Sequence, residues 1–407
     1  MNILFITDNF PPEVNAPASR TFEHINHWLK DKDVKVTVIT CFPNFPRGKV
    51  FDGYKNKLFE RSKYKNIEVI RVWSYIAKNK GTFKRIIDYL SFAISASFYG
   101  LFLKYDIIVA TSPQFFTTWS AWFLSKVKRV PWIFELRDLW PDTISVVSSL
   151  NNKNIIAFLH KIEISLYKSA NSVVALTHSF KENLISRGID GKKIQVVTNG
   201  VDLDLFQSKH DIELSNKLNF NKKFVIGYIG THGLCHGLEF IVKTIPHIKY
   251  QDVHFLFIGD GATKKDLVDQ ANILKIKNIT FLDMVPKNDV PKYLSICNIA
   301  LVPLIDDKLF QTVIPSKIFE AAALKKPIFL GVKGESKQII ERYNAGICYE
   351  PERKDSFLTQ FDKIYDVENY TTYQKGCQKL AQDYSRKNLA NKMLEIIKDT
   401  YISSTKK

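Results

Sequence analysis

Cysteine is scarce in this 407-residue chain, and the little there is does not pair by spacing. The five cysteines, Cys41, Cys235, Cys297, Cys348 and Cys377, are scattered, odd in number and without a C-x-x-C pair. That argues against a zinc site or a disulfide frame, and for reduced thiols in a cytoplasmic protein. Low-complexity tracts are also lacking, and at 45% hydrophobic and 24% charged the composition is globular. The opening Met1-Asn-Ile-Leu-Phe-Ile-Thr-Asp8 reads as a buried strand, without the basic leader, long apolar run and cleavage site of a secretion signal. The length exceeds what a single core usually fills, so two domains of about 200 residues each are expected.

Acidic residues are the second shortage: 41 Asp and Glu face 58 Lys and Arg, a formal net charge of +17. Between Arg47 and Arg85 twelve basic residues stand against Asp52, Glu60 and Glu68, a net of +9. Ile86 to Leu103 follows, eighteen residues with one charge. Asp88, the serines and the flanking Lys84, Arg85 and Lys104 suit a helix that lies on an anionic membrane surface rather than spans it. A buried core helix is the alternative. Nucleic acid is not an expected partner, because the aromatics sit in the apolar stretch and not among the basic residues as stacking platforms.

Short apolar runs alternate with helical patterns along the whole chain. Strands are expected at Ile3–Thr7, Lys35–Thr40, Glu68–Val72, Ile107–Thr111, Trp132–Glu135, Ser172–Leu176 and Gln195–Val197. The rhythm restarts at Lys223–Tyr228, Val253–Ile258, Ile279–Leu282, Ala300–Pro303, Pro327–Leu330 and Gly346–Tyr349. Strand, helix, strand means parallel sheet covered by helices, here twice, joined near Asp202 to Phe220. The expected division is 1–205, 206–385 and a C-terminal helix 386–407, with a ligand at the carboxyl ends of the strands in a cleft.

Val313-Ile-Pro-Ser-Lys-Ile-Phe-Glu320 is the most informative segment. Pro315 suits a first helical turn, and Ser316 is placed to cap free amides. Lys317 beside the positive end of a helix dipole is unfavourable unless an anion sits there. Glu320, one turn on, is placed to accept two ribose hydroxyls. An ordinary amphipathic helix with one surface lysine and one surface glutamate is the plain alternative.

Asn199-Gly-Val-Asp202, Phe206, Gly227-Tyr-Ile-Gly-Thr-His-Gly233, Phe257-Ile-Gly-Asp-Gly261, Val302-Pro303 and Pro315-Ser-Lys317 with Glu320 follow one another in order. This series resembles the retaining family 4 glycosyltransferases. The resemblance implies an α/β fold of the GT-B type, two doubly wound Rossmann-like domains facing across a cleft. With Asn9-Phe-Pro-Pro-Glu-Val-Asn-Ala-Pro-Ala-Ser-Arg20 and Glu135-Leu-Arg-Asp-Leu-Trp-Pro-Asp142, the chain looks closest to bacterial O-antigen or capsule enzymes that add an N-acetylated amino sugar such as N-acetyl-L-fucosamine.

What the resemblance implies is retaining transfer from a UDP-sugar to a polyprenyl-diphosphate-linked saccharide, with no metal and no other cofactor, on the inner face of the cell membrane. Lys317, Glu320, Asp138 and Arg137 are the expected catalytic residues. Asn15, Ala16, Asn199, Gly230, Thr231, His232, Gly233, Gly259, Gly261, Val285 and Val313 to Lys317, including Ile314, are expected at the donor. Glu13, Arg20, Lys84, Arg85 and Phe92 are expected at the acceptor or the membrane. Asp138 orients the acceptor hydroxyl or a sugar amide, or else caps the turn before Trp140-Pro141; His232 donates to phosphate, while His236 equally suits a helix cap at Gly237. The other histidines read as structural.

Departures from the wider family are plain. Thr312 stands where relatives carry the first of two glutamates, and Thr231 and His236 stand where they carry Arg and Lys. Asn15-Ala16 replaces a glycine pair. Lys317 and the helix amides are left to hold the diphosphate, with Arg137 or Arg20 assisting. A GT-B UDP-sugar epimerase and an inert sugar-nucleotide-binding scaffold on the membrane are the competing readings.

Overall fold

The computed structural model describes residues 1–45, 47–76, 82–112, 115–139 and 153–405. Within them the chain divides into two α/β units, Met1–Thr198 with Lys387–Lys407, and Asn199–Arg386. Trp140, Pro141 and Asp142 of the expected motif lie outside the described residues.

The first unit runs β1 (Asn2–Ile6), α1 (Ala16–Trp28), β2 (Lys35–Cys41), β3 (Phe59–Tyr64), β4 (Ile67–Val72), α2 (Thr82–Gly100), β5 (Ile107–Thr111), α3 (Thr117–Lys128), β6 (Trp132–Leu136), α4 (Lys153–Ser169), β7 (Ser172–Ala175), α5 (His178–Ser186) and β8 (Ile194–Val196). Its sheet has the order β3-β4-β2-β1-β5-β6-β7-β8. All neighbours pair in parallel except β3 and β4. Every residue of β5 and β6 is buried, as a parallel strand covered on both faces requires. β3 was not expected from the sequence: its Phe-Glu-Arg-Ser-Lys-Tyr alternates exposed and part-buried residues on an edge, and lysine and arginine there discourage further pairing.

The second unit runs α6 (Ile212–Lys217), β9 (Phe224–Ile229), α7 (Leu238–Thr244), β10 (Val253–Ile258), α8 (Lys264–Ile273), β11 (Ile279–Leu282), α9 (Val290–Ser295), β12 (Ile299–Pro303), α10 (Lys317–Ala323), β13 (Ile328–Gly331), α11 (Glu335–Tyr343), β14 (Gly346–Cys348), α12 (Lys354–Tyr365) and α13 (Val367–Asp383). Its parallel sheet has the order β11-β10-β9-β12-β13-β14. The last helix, α14 (Arg386–Thr405), returns to the first unit.

Each sheet is buried between two helical layers. In the first unit, Phe92, Leu124 and Leu166 of α2, α3 and α4 pack on Phe134 and its neighbours. Ile25 and Trp28 of α1, with Met393 and Ile397 of α14, cover the opposite face, and Trp28 Nε1 donates to the Ala390 carbonyl at 2.8 Å. In the second unit, Ile318, Ile340 and Leu380 line one face, and Ile241, Leu267 and Phe361 the other. No helix among the described residues is long and apolar enough to cross a membrane.

Strand order reverses between β9 and β12 in the second unit, and between β1 and β5 in the first. At such a point the following connections diverge to opposite faces and leave a crevice at the strand ends.

Candidate functional site

In the second unit the connection after β9 carries Gly230 to Gly237, the one after β10 carries Gly259-Asp-Gly261, and the one after β12 leads to Lys317 at the start of α10. These three meet. Lys317 Nζ lies 5.2 Å from the centre of the Tyr228 ring, and 2.7 Å from where a β-carbon on Gly230 would sit. Gly230 has φ +151, so any side chain there is strained as well as obstructed. A β-carbon on Gly261 would strike the backbone of His232, whose carbonyl also accepts the Thr263 amide at 3.0 Å and the Thr263 hydroxyl at 2.8 Å. The Gly230 amide is held by the Ile258 carbonyl at 2.8 Å, and that of His232 by Asp260 at 2.9 Å.

Lys317 is the available charge. Burial lowers its pKa and the nearby Glu320 partly offsets this, yet none of the ion pairs among the described residues includes it. The remaining amides are fewer than the sequence promised. Helix α10 begins at Lys317, and the amides of Ile318, Phe319 and Glu320 already bond to the carbonyls of Pro315 and Ser316. Ser316 is exposed and makes no side-chain cap, a correction to its expected role: its backbone is itself helical, which turns the hydroxyl away from the amides it would bind. The Ile314 side chain is core. The Val313 carbonyl accepts the Ser336 hydroxyl at 2.9 Å, and Val285 packs part-buried against the same core. Asn199 and Glu320 are part-exposed.

The two histidines of this loop are not cations. His232 is wholly buried between Tyr228 and Phe257, with neither ring nitrogen hydrogen-bonded. Burial, with the charges of Lys264 and Lys317, pushes it down to about 4 despite Asp260. His236 is also held at about 4 by burial and Lys317; its Nδ1 faces Cys235 Sγ at 3.5 Å, and α7 is capped by Gly237 without a side-chain bond, so the expected helix cap does not form. Tyr228, which seats the ammonium, was missed because an aromatic inside a strand is indistinguishable from core until the fold brings Lys317 over its face.

In the first unit, Asn15 caps α1 by accepting the Ala18 amide at 2.9 Å and donates to Asn9 Oδ1 at 2.5 Å, which leaves Ala16 as the first helical residue. Asp138 lies two residues past the end of β6 and is part-buried; burial pushes its carboxyl up to about 6 against the lowering effect of Arg137. Arg137 is nearly buried, with its amide on the Ser112 hydroxyl at 2.9 Å and its guanidinium donating to the Pro17 carbonyl at 3.3 Å.

Three expectations for acceptor or membrane contact are corrected. Arg20 is buried, its Nε on Glu135 Oε1 at 2.9 Å and its two terminal nitrogens on the carbonyls of Thr198 and Val197 at 2.6 and 2.9 Å. A guanidinium so engaged is a structural tie. Glu13 is buried under the amides of Asn44 and Phe45, each 2.8 Å from Oε1, and its pKa is raised by burial. Phe92 is core because its turn of α2 faces the sheet. Lys84 is exposed, and Arg85 donates to the Tyr89 hydroxyl.

Two Asp-x-Asp runs exist, and both serve the local backbone. Asp31 pairs with Lys398 and accepts the Asp33 amide, while Asp202 accepts the amides of Asp204 and Leu205. Among the described residues no cluster of three acidic, cysteine or histidine side chains gathers at one point.

Residues 18–205 match the family Glycosyltransferase Family 4, and residues 211–400 match Glycosyl transferases group 1. A glycosyl transferase assigned to colanic acid biosynthesis in Escherichia coli K12 is 23% identical over 96% of both chains. A UDP-Gal:α-D-GlcNAc-diphosphoundecaprenol α-1,3-galactosyltransferase of Escherichia coli is 24% identical over 62% of this chain and 66% of its own. Among solved structures, Anabaena HepE in complex with UDP superimposes with a TM-score of 0.71 at 16% identity, covering 98% of this chain and all of that one.

Proposed function

Because the chain belongs to the GT-B glycosyltransferases, with a family 4 part followed by a group 1 part, we propose that it transfers a sugar from a UDP-sugar to a polyprenyl-diphosphate-linked saccharide during synthesis of a bacterial surface polysaccharide. The sugar proposed is an N-acetylated amino sugar of the N-acetyl-L-fucosamine kind, added with retention and without a metal, at the cytoplasmic face of the membrane. Support for the donor class comes from HepE, solved with UDP and with UDP-glucose. Support for the acceptor class comes from the galactosyltransferase relative, named for a diphosphoundecaprenol-linked sugar.

The single observation that carries the reading is Lys317: an ammonium on the Tyr228 ring, above a glycine whose missing side chain leaves it room, at the point where strand order reverses. Such a group stabilises a diphosphate most as it departs and its bridging oxygen gains charge. In this reading the departing phosphate accepts the proton of the incoming hydroxyl, and Glu320 holds the ribose.

Thermal protection by a panel of UDP-, GDP- and dTDP-sugars tests the donor, because a ligand stabilises only the state it binds. UDP is expected to stand out, and protection by guanosine or thymidine nucleotides alone would overturn the reading. Transfer to a lipid-linked acceptor, with the anomeric configuration of the product read by NMR and the rate compared with and without chelator, tests retention and metal independence.

A further inference from the structure

Helices α2, α3 and α4 lie side by side on one face of the first sheet, with α3 packed against both others. The Ser120 hydroxyl of α3 donates to the Ala93 carbonyl of α2 at 3.0 Å, and Lys128 Nζ reaches the Leu103 carbonyl beyond the end of α2 at 3.4 Å. Their inward sides are core, but their outward sides are not polar as a solvated layer should be. Ile94, Phe98, Phe102 and Phe158 are 70%, 55%, 72% and 61% exposed, and Phe123 and Val127 are exposed beside them. Phe98 and Phe102 touch edge to face, with ring centres 5.3 Å apart, so these two form one apolar patch, on a layer in which α3 packs against both α2 and α4. Contiguous exposed apolar surface of this kind marks a contact site.

Charge identifies the occupant. Lys104, Lys126, Lys128, Arg129, Lys161 and Lys168, on the same three helices or just past their ends, are all exposed. None of the exposed residues of the three helices is acidic: Asp88 is part-buried and Glu163 is buried and bonded to Arg187 and Tyr167. A protein partner or a second copy would meet this one-signed surface with acids of its own, but the chain places none on its own copy of this face. An anionic bilayer supplies both halves of the complement, negative headgroups for the lysines and acyl chains for the phenylalanines.

We propose that the outer face of α2, α3 and α4 is a bilayer-docking surface, in which Ile94, Phe98, Phe102 and Phe158 enter the headgroup and acyl boundary and the surrounding lysines and arginines bind anionic lipid. The sequence pointed to residues 47–103 alone; the fold adds α3 and α4. The inference rests on the lipid-linked acceptor proposed above only for its purpose, since the surface stands on its own residues.

The test is flotation of the full chain with vesicles of phosphatidylcholine alone, or with about one third phosphatidylglycerol. Wild type is expected to float with the anionic vesicles and to be released by high salt. A variant carrying Phe98→Ser and Phe102→Ser, and another carrying Lys126→Glu, Lys128→Glu and Arg129→Glu, are each expected to lose tenfold or more in partitioning with an unchanged thermal midpoint. Lys265→Glu with Lys277→Glu, in the second unit, is the control and should float as wild type does. UDP protection, measured on the same variants, should be unaffected. Retained UDP protection without vesicle binding by wild type overturns the docking surface and leaves the donor reading standing; the reverse result does the opposite. Equal flotation of all variants, or light scattering that shows a dimer broken by the phenylalanine changes without vesicle binding, also overturns it.

Discussion

The ammonium of Lys317 rests on the face of Tyr228, 5.2 Å from the ring centre, in the space that a side chain on Gly230 would fill. The cation is thereby seated by a ring contact and enters none of the ion pairs among the described residues, which leaves it able to bind an anion. Lys317→Ala is expected to lower kcat by about two to three orders of magnitude, the usual effect of removing one preorganised charge-stabilising group. Its thermal midpoint should match wild type. Gly230→Ala should fall in the same way, and a wild-type rate in either purified variant would remove Lys317 from the chemistry.

Tyr228→Leu separates seating from charge. The contact between ammonium and ring is worth about 0.5–2 kcal/mol, so a loss of roughly tenfold in kcat/KM is expected while UDP still protects. Steady-state kinetics with saturating acceptor measures it.

The neutral histidine loop makes the second unit sensitive to acid. His232 titrates near 4 in the fold, below its ordinary 6.5. The stability this reflects is present above pH 6.5 and is lost as the pH falls towards 4, when the buried ring must take up a proton. The shift corresponds to about 3 kcal/mol. Calorimetry at pH 7, 5.5 and 4.5 should show His232→Phe losing less stability on acidification than wild type; parallel curves would refute the assignment.

Asp138 runs the other way, with its carboxyl near 6, above the ordinary 3.8. Its contribution to stability is full below pH 3.8 and is lost as the pH rises through 6, because a part-buried carboxylate is then forced to ionise. Asp138→Asn is expected to raise the thermal midpoint at pH 8 and to leave it unchanged at pH 4. If Asp138 acts as a carboxylate, the wild-type rate should also rise through about pH 6, and the variant should lack that limb.

Arg20 is expected to matter for folding rather than for phosphate binding. Arg20→Ala leaves Glu135 buried without its cation and two carbonyls without donors, which costs about 3–5 kcal/mol. Urea unfolding followed in the first unit should show that loss. An unchanged midpoint with a collapsed rate would restore its expected role at the acceptor or the diphosphate.

The strands were legible because parallel strands buried on both faces are continuous apolar runs, as at Ile107–Thr111 and Ile299–Pro303. The edge strand Phe59–Tyr64 was not, since half of its surface faces water and its residues read as loop. At the candidate site, Lys317 stood out from helix chemistry and Gly230 only through the family resemblance, and the fold brings the two together. The roles of Arg20, Glu13 and Phe92 were misread because a charged residue in a motif looks available, and an aromatic in an apolar helix looks exposed, until burial is known.

The order of apolar runs and turn residues by itself determined two doubly wound α/β units, since periodicity and glycine placement are local properties of the chain. Only the tertiary structure decided which charges are free. Pairing of Arg20 with Glu135 spans 115 residues, and the ring beneath Lys317 belongs to strand β9, so contacts distant in sequence set the burial and partnering on which charge chemistry depends.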